Sequence, residues 1–243
     1  GFGRIGRSAL KVALDQGLFV PVSVSDIKDL PVLAALFEVD TNYGRWHEDV
    51  KASKDGFVIG GRSVPYFDST GSLPDWSALG VDLVIDCTGA FKTAAKVAPY
   101  HGAGVKKVVV SAPVKDGGAL NLVYGVNHHL YDGSQALVTA ASCTTNCLAP
   151  VVKVIHEALG IRHGAITTIH DVTNTQTIVD RPAKDMRRAR SALLNLIPTT
   201  TGAARAVGKV LPELKGRLDG AAIRVPVPDG SVVDLVVRLD RAT

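Results

Sequence analysis

Gly1-Phe2-Gly3-Arg4-Ile5-Gly6-Arg7, running on through residues 8–16 to Phe19-Val20-Pro21-Val22-Ser23-Val24-Ser25-Asp26, is the stretch that decides the fold. The glycines stand as GxGxxG, a helical stretch over residues 8–16 follows, and residues 19–25 read as a strand. Asp26 closes that strand, 25 positions after Gly1. In the dinucleotide fingerprint, Gly1 permits the tight turn, Gly3 the close approach of a pyrophosphate, and Gly6 helix–strand packing. The acidic residue meets the adenosine ribose 2′-OH. GxGxxG by itself is a weak signal; the strand and the spaced aspartate strengthen it. Asp26 favours NAD over NADP, because a carboxylate repels a 2′-phosphate, while nearby Lys28 blurs that preference.

Downstream, Asp55-Gly56 and Gly60-Gly61 punctuate two short apolar runs, 57–59 and 64–67, and predict a hairpin inserted between crossover units. Residues 81–87 form a near-continuous apolar run, as parallel buried strands do. It ends at Thr88-Gly89, where a strand terminus of a doubly wound sheet faces a cofactor. Residues 107–111, 122–126 and 137–140 read as further strands. Strands alternating with helical stretches predict a parallel α/β sheet. Cys87, at a buried strand end, reads as packing.

The second informative stretch is Ala141-Ser142-Cys143-Thr144-Thr145-Asn146-Cys147. Leu148, Val151, Val152, Ile155 and Leu159 recur at helical spacing, so a helix should begin within a few residues of Cys143. Unpaired N–H groups and the positive end of the macrodipole there favour thiolate, the nucleophilic form. Pro150 predicts a late start or a bend. A lone cysteine beside a helix is more often a small buried hydrophobe than a nucleophile. Cys143 and Cys147 lack the two-residue gap of a redox pair, and nothing completes a zinc site, so no metal is expected.

Beyond the cysteine helix, residues 164–170 read as a strand finishing on His170. A polar segment, 171–201, carries Asp185-Met186-Arg187-Arg188-Ala189-Arg190. A helix from Gly202 and two strands, 221–227 and 231–239, follow, the strands joined by a Pro228-Asp229-Gly230 turn.

The 243 residues are 46% hydrophobic and 21% charged, an ordinary globular composition with material for two small domains. Three cysteines are too few for a disulfide scaffold and fit a reducing cytoplasm. No apolar run of membrane-spanning length occurs, so no membrane partner is expected. A net charge of +4 suits anionic metabolites. The basic cluster lacks interleaved aromatics, which disfavours nucleic acid. With no initiator Met and an opening inside a motif, the chain reads as a fragment.

Taken together, the glycine motif with its aspartate, residues 141–150, Thr168-Ile169-His170, Pro198-Thr199-Thr200-Thr201-Gly202-Ala203-Ala204 and Ile223-Arg224-Val225-Pro226 resemble phosphorylating glyceraldehyde-3-phosphate dehydrogenase. The likeness runs over essentially all 243 residues, and the cysteine motif is highly specific. It implies a Rossmann-type doubly wound parallel sheet over residues 1–142, then an α+β catalytic domain over 143–243, both incomplete. A first strand before Gly1 and a closing C-terminal portion would be missing, so the piece alone should bind cofactor poorly. The resemblance further implies Cys143 as nucleophile and His170 as its acid–base partner. NAD would be held by Gly1, Gly3, Arg4, Ile5, Gly6 and Asp26, with Thr88 and Gly89 along its path. Thr173 and Arg224 would bind the C3 phosphate of glyceraldehyde 3-phosphate. Ser142, Thr144, Thr201 and Gly202 would bind the attacking inorganic phosphate. Segment 171–201 would line a neighbouring subunit's cofactor pocket in a homotetramer, and the enzyme would be cytoplasmic.

One segment departs. Where glycolytic members read Ala-Tyr-Thr-Ala-Thr-Gln, this chain has Asp171-Val172-Thr173-Asn174-Thr175-Gln176. With residues 184–190 and 199–201, this is similar to the variant encoded beside arsenic-resistance genes, which implies arsenate as second anion and 1-arseno-3-phosphoglycerate as product. Two alternatives stay open: a dehydrogenase for another phosphorylated aldehyde, such as erythrose 4-phosphate, and a non-catalytic binding or scaffold protein on the same fold.

Overall fold

The structure, a computed structural model, describes residues 1–114 and 116–242. The chain divides into two units. One comprises Gly1–Leu120 with Tyr131–Ala140, the other Asn121–Leu130 with Ala141–Thr243.

In the first unit the opening helix runs from Arg4 to Gln16, starting four residues earlier than residues 8–16 suggested. Gly3 is its N-cap and Gly17 closes it at φ 62°. The strand after it is only Val24–Asp26. Pro21 has no N–H to give a ladder and Val20 is exposed, so residues 19–23 stay outside the sheet. Val24–Asp26 pairs in parallel with Arg62–Asp68, which continues antiparallel into Gly56–Ile59 and Val50–Ala52. The expected hairpin is there: Gly60 and Gly61, at φ 54° and 81°, close a two-residue turn of the kind that needs φ > 0 at both positions. A second sheet runs in the order Leu83–Asp86, Lys107–Val110, Leu137–Thr139, Leu120–Asn121, its first three strands parallel. This is the doubly wound Rossmann-type pattern. Phe2, Phe37 and Phe57 centre one core and Trp76, Val97 and Val108 another.

Residues 122–126 are not a strand. Asn127 Oδ1 accepts the N–H of Val123 at 2.8 Å, and Gly125 sits at φ 81°, which turns the chain away from any ladder. Val123 and Val126 pack instead with Leu148, Ala149 and Val152 in the core of the second unit.

That unit opens with the helix Cys143–Leu159. Pro150 lies inside it without delaying its start, contrary to one of the two expectations, since Ser142 caps it by accepting from Thr145 N at 3.2 Å. Its buried face packs on a mixed sheet ordered Ile197–Thr200, Leu218–Arg224, Ile161–His170, Val232–Leu239. The strand expected at 221–227 sits three residues earlier, because Pro226 and Pro228 cannot donate to a ladder. Segment 171–201 is not wholly irregular: it holds a 3₁₀ turn, Met186–Ala189, and the strand Ile197–Thr200. The helix expected from Gly202 spans Ala203–Val210.

Ile161–His170 and Leu218–Arg224 are parallel, in a register that sets His170 beside Arg224. Val232–Leu239 pairs antiparallel on the other side, with Ile169 opposite Val232. Among the described residues, no helix is long and apolar enough to cross a membrane.

Candidate active site

The glycine turn of the first unit divides its labour by space. A Cβ on Gly1 would lie 2.7 Å from Thr88 Cα, and one on Gly6 would strike the carbonyl of Gly1, so packing within the protein excludes side chains there. A Cβ on Gly3 would meet nothing within 4 Å. That open space lies at the N-terminus of Arg4–Gln16, whose cap supplies no side-chain hydrogen bond. The first backbone N–H groups of a helix lack intrahelical partners, and such a terminus suits a pyrophosphate. Gly3, Arg4, Ile5 and Gly6 therefore fit a dinucleotide, with 60% of Ile5 exposed to the same solvent. The Arg4 side chain is already engaged by Asp40 at 3.7 Å and by the Tyr43 ring.

Asp26 sits at its strand end as expected, and its carboxylate ties that end to the turn. Oδ2 accepts from Phe2 N at 2.5 Å and Oδ1 from Ile27 N at 2.7 Å. Thr88 and Gly89 follow the strand Leu83–Asp86. Thr88 N and Oγ1 both donate to Asp86 Oδ1, at 3.1 and 2.9 Å, and Gly89 takes φ 69°. Sequence reasoning passed over Asp86, which is buried and anchors this loop. Cys87 is half-buried, and burial pushes its thiol up, offset by a hydrogen bond with Ser111, so it remains a packing residue.

In the second unit Cys143 begins its helix and is exposed. Its Sγ lies 3.5 Å from His170 Nε2. The hydrogen bond with His170 draws the thiol down from its ordinary value, against burial, with the imidazole charge and the N–H of Thr144 adding to the effect. The same bond raises His170, against burial and the charge of Arg224. The pair thus favours thiolate with imidazolium. Immediately before the cap, Ala141 takes φ 56°, a left-handed conformation uncommon outside glycine, at the entry to the reactive turn.

Arg224 gathers the remaining polar groups. Its Nη1 lies 3.0 Å from His170 Nδ1, 2.9 Å from the Asp171 carbonyl and 3.4 Å from Thr173 Oγ1. Its Nε is buried without a hydrogen-bond partner. Burial and the nearby charge of Arg188 both press the guanidinium below its ordinary pKa. A half-buried cation with an unused N–H beside a second cation is a place for an anion. Arg188 also donates to Thr199 Oγ1 at 3.1 Å. Cys143, His170, Thr173 and Arg224 are thus brought together. Ser142 and Thr144 flank Cys143 on the helix start, the former spent on capping, the latter buried. Thr201 and Gly202 stand at the start of the helix Ala203–Val210, where Thr201 Oγ1 accepts from Ala203 N at 3.2 Å. Sequence reasoning gave no catalytic or substrate-binding role to Arg188, Asp171 or Ser231; Asp171 and the segment 184–190 that holds Arg188 were marked only as places where the chain departs from its resemblance.

The family model described as glyceraldehyde 3-phosphate dehydrogenase, NAD binding domain, matches residues 1–94, and the one for the C-terminal domain matches residues 142–243. Glyceraldehyde-3-phosphate dehydrogenase 3 of Nostoc sp. is 53% identical over 247 aligned positions, covering 100% of this chain and 73% of the relative. Glyceraldehyde-3-phosphate dehydrogenase 1 of Bacillus cereus is 46% identical, covering 99% and 72%. The glyceraldehyde-3-phosphate dehydrogenase of Borreliella burgdorferi is 45% identical, covering 99% and 73%. With a nucleotide-binding turn in one unit and a cysteine–histidine pair in the other, the chain belongs to the glyceraldehyde-3-phosphate dehydrogenase family and uses NAD.

Proposed function

We propose that the chain catalyses NAD-dependent oxidation of glyceraldehyde 3-phosphate to 1,3-bisphosphoglycerate, with Cys143 as nucleophile and His170 as acid–base partner. The observation that carries this is the 3.5 Å approach of Sγ to Nε2 at a helix start. The thiolate adds to the aldehyde carbon, giving a thiohemiacetal whose oxyanion takes a proton from the imidazolium. NAD, which Gly3, Arg4, Ile5 and Asp26 would hold, would supply the hydride acceptor for oxidation of the thiohemiacetal to a Cys143 thioester. His170 takes the hydroxyl proton in that oxidation. The second anion then attacks the thioester carbon and frees the thiolate.

Arg224 and Thr173 hold the C3 phosphate, a role supported by the unpartnered Nε of Arg224 and by the charge of Arg188. Ser142, Thr144, Thr201 and Gly202 are the groups for the attacking phosphate. Gly1, Gly3, Arg4, Ile5, Gly6 and Asp26 hold the adenosine and pyrophosphate, and Thr88 and Gly89 border the rest of the cofactor. The nearly isosteric arsenate enters the same anion site, giving 1-arseno-3-phosphoglycerate. Ile178, Val179, Leu193, Leu194 and Leu196 are all exposed on segment 171–201, which supports a further copy of the chain packing there in a homotetramer. Three unpaired cysteines support a cytoplasmic setting.

The test is steady-state NADH formation from glyceraldehyde 3-phosphate, with phosphate against arsenate and with erythrose 4-phosphate as competing aldehyde. Phosphate-dependent turnover that vanishes in Cys143→Ser is expected. Turnover surviving that substitution, or faster with erythrose 4-phosphate, overturns the proposal.

A further inference from the structure

Only Nε2 of His170 faces Cys143, so whatever holds Nδ1 decides which tautomer meets the sulfur. Around Nδ1 stand the Asp171 carbonyl at 2.9 Å, the Asp171 carboxylate Oδ1 at 2.5 Å, Arg224 Nη1 at 3.0 Å and Ser231 Oγ at 3.5 Å. The Asp171 carbonyl accepts a hydrogen bond only if Nδ1 carries a proton, and the carboxylate pairs with the ring only when the ring is charged, whereas Arg224 requires a bare nitrogen. Both demands cannot be met together. The carboxylate is the closer group, and Nη1 has other acceptors in the Asp171 carbonyl and Thr173 Oγ1. Ser231 cannot serve Nδ1 as donor, because its single proton goes to Asp171 Oδ1 at 2.9 Å. Nδ1 therefore keeps its proton, and the lone pair of Nε2 is left for the Cys143 thiol.

The carboxylate is also braced. Ser231 Oγ, besides donating to Oδ1, accepts from Asp171 N at 3.1 Å. Ser231 immediately precedes Val232–Leu239, whose Val232 pairs with Ile169, so the register of two strands sets this hydroxyl across from Asp171. The Asp171 side chain is 20% exposed and His170 is 7% exposed, so the contact is largely shielded from water.

We propose that Asp171 is a positioning residue for the Cys143–His170 pair: its main-chain carbonyl holds the Nδ1–H tautomer of His170, and its carboxylate stabilises the imidazolium formed when Nε2 takes the thiol proton. The proton on Nδ1 stays there. One proton moves, from Sγ to Nε2, and no co-reactant is involved. The charged groups facing the ring are Cys143 from the helix start, Arg224 from the end of Leu218–Arg224, and the carboxylate of Asp171 itself, with Arg188 acting on Arg224. The hydrogen bond with Cys143 is the largest influence on the ring and raises it, Arg224 opposes the imidazolium, and the carboxylate lies nearer to Nδ1 than the guanidinium does. The assignment rests on the roles proposed for Cys143 and His170.

Ring-nitrogen NMR of histidine-labelled protein, titrated with pH, reads the tautomer and the imidazolium directly. In the unsubstituted protein the neutral ring should carry its proton on Nδ1. In Asp171→Asn the main-chain carbonyl remains and the carboxylate charge is lost, so the imidazolium should titrate about one pH unit lower with the Nδ1–H tautomer kept, and kcat should fall more than KM rises. Asp171→Glu should restore most of the shift. Ser231→Ala, which unbraces the carboxylate but keeps its charge, should lower the titration by a smaller amount. A His170 titration unchanged in Asp171→Asn overturns the proposal, whatever happens to stability. If that variant fails to fold, unchanged titration in both Asp171→Glu and Ser231→Ala overturns it. Turnover surviving Cys143→Ser would remove the underlying reading; loss of turnover there with an unmoved titration removes only the assignment of Asp171.

Discussion

Tyr100 Oη donates a 2.7 Å hydrogen bond to Asp86 Oδ2, and both side chains are buried. Because Asp86 Oδ1 receives Thr88, the carboxylate links a helix side chain to the loop bordering the nucleotide turn. Tyr100→Phe leaves Oδ2 short of a donor and should cost about 1–3 kcal/mol. Denaturant unfolding checks this. The phenol has a pH signature too. Burial, followed by the charge of Asp86, raises its pKa well above the ordinary value. An unfolded tyrosine ionises near pH ~10 while the folded one stays neutral, so this stability is full below that pH and lost as pH rises beyond it. Tyr100→Phe should flatten that alkaline loss.

Gly3 and Gly6 of the glycine turn should respond differently to a methyl group. Gly6→Ala drives a Cβ into the Gly1 carbonyl and should destabilise the unit. Gly3→Ala meets open space and should cost only about 0.5–1 kcal/mol as a poorer cap. A pyrophosphate passing over Gly3 would be blocked, so NAD affinity should fall about tenfold or more, a change of about 1.4 kcal/mol. Calorimetric titration decides: native NAD affinity in Gly3→Ala would move the cofactor away from this turn.

His170→Asn should lower kcat/KM by about 10²–10⁴-fold, the range for a positioned acid–base group. The hydrogen bond to His170 is the largest influence holding the Cys143 thiol below its ordinary value. Removing it should shift the acid limb of kcat/KM toward higher pH, because the thiolate then needs less acid to be quenched. An acid limb that stays in place would assign the lowered thiol pKa to the helix start alone.

Much of this was legible in the chain. Apolar spacing after Cys143 marks a helix, and the capping hydroxyl of Ser142 lets it begin at the cysteine itself despite Pro150. The strand ending on His170 was legible too, but not its neighbour: Arg224 lies beside it through a parallel register between strands 54 residues apart. Register of that kind depends on tertiary packing, which no local pattern encodes. Residues 122–126 look like a strand by composition, yet the side chain of Asn127 turns them back. Ile197–Thr200 is hidden within the polar segment 171–201 because its buried positions, 197 and 199, alternate over only four residues and include a threonine. Asp171 stands out in the sequence only as a departure, because a carboxylate following a histidine has no fixed meaning until Ser231, just before the strand Val232–Leu239, is brought against it.

The most direct measurement is the pH dependence of iodoacetamide alkylation at Cys143, in a Cys147→Ala background because both thiols are exposed. Fast alkylation with a midpoint well below the free-cysteine value of about 8.5, moving upward in His170→Asn, is the expected result. A midpoint at the free-cysteine value, indifferent to His170, would contradict an ionised sulfur paired with the imidazole.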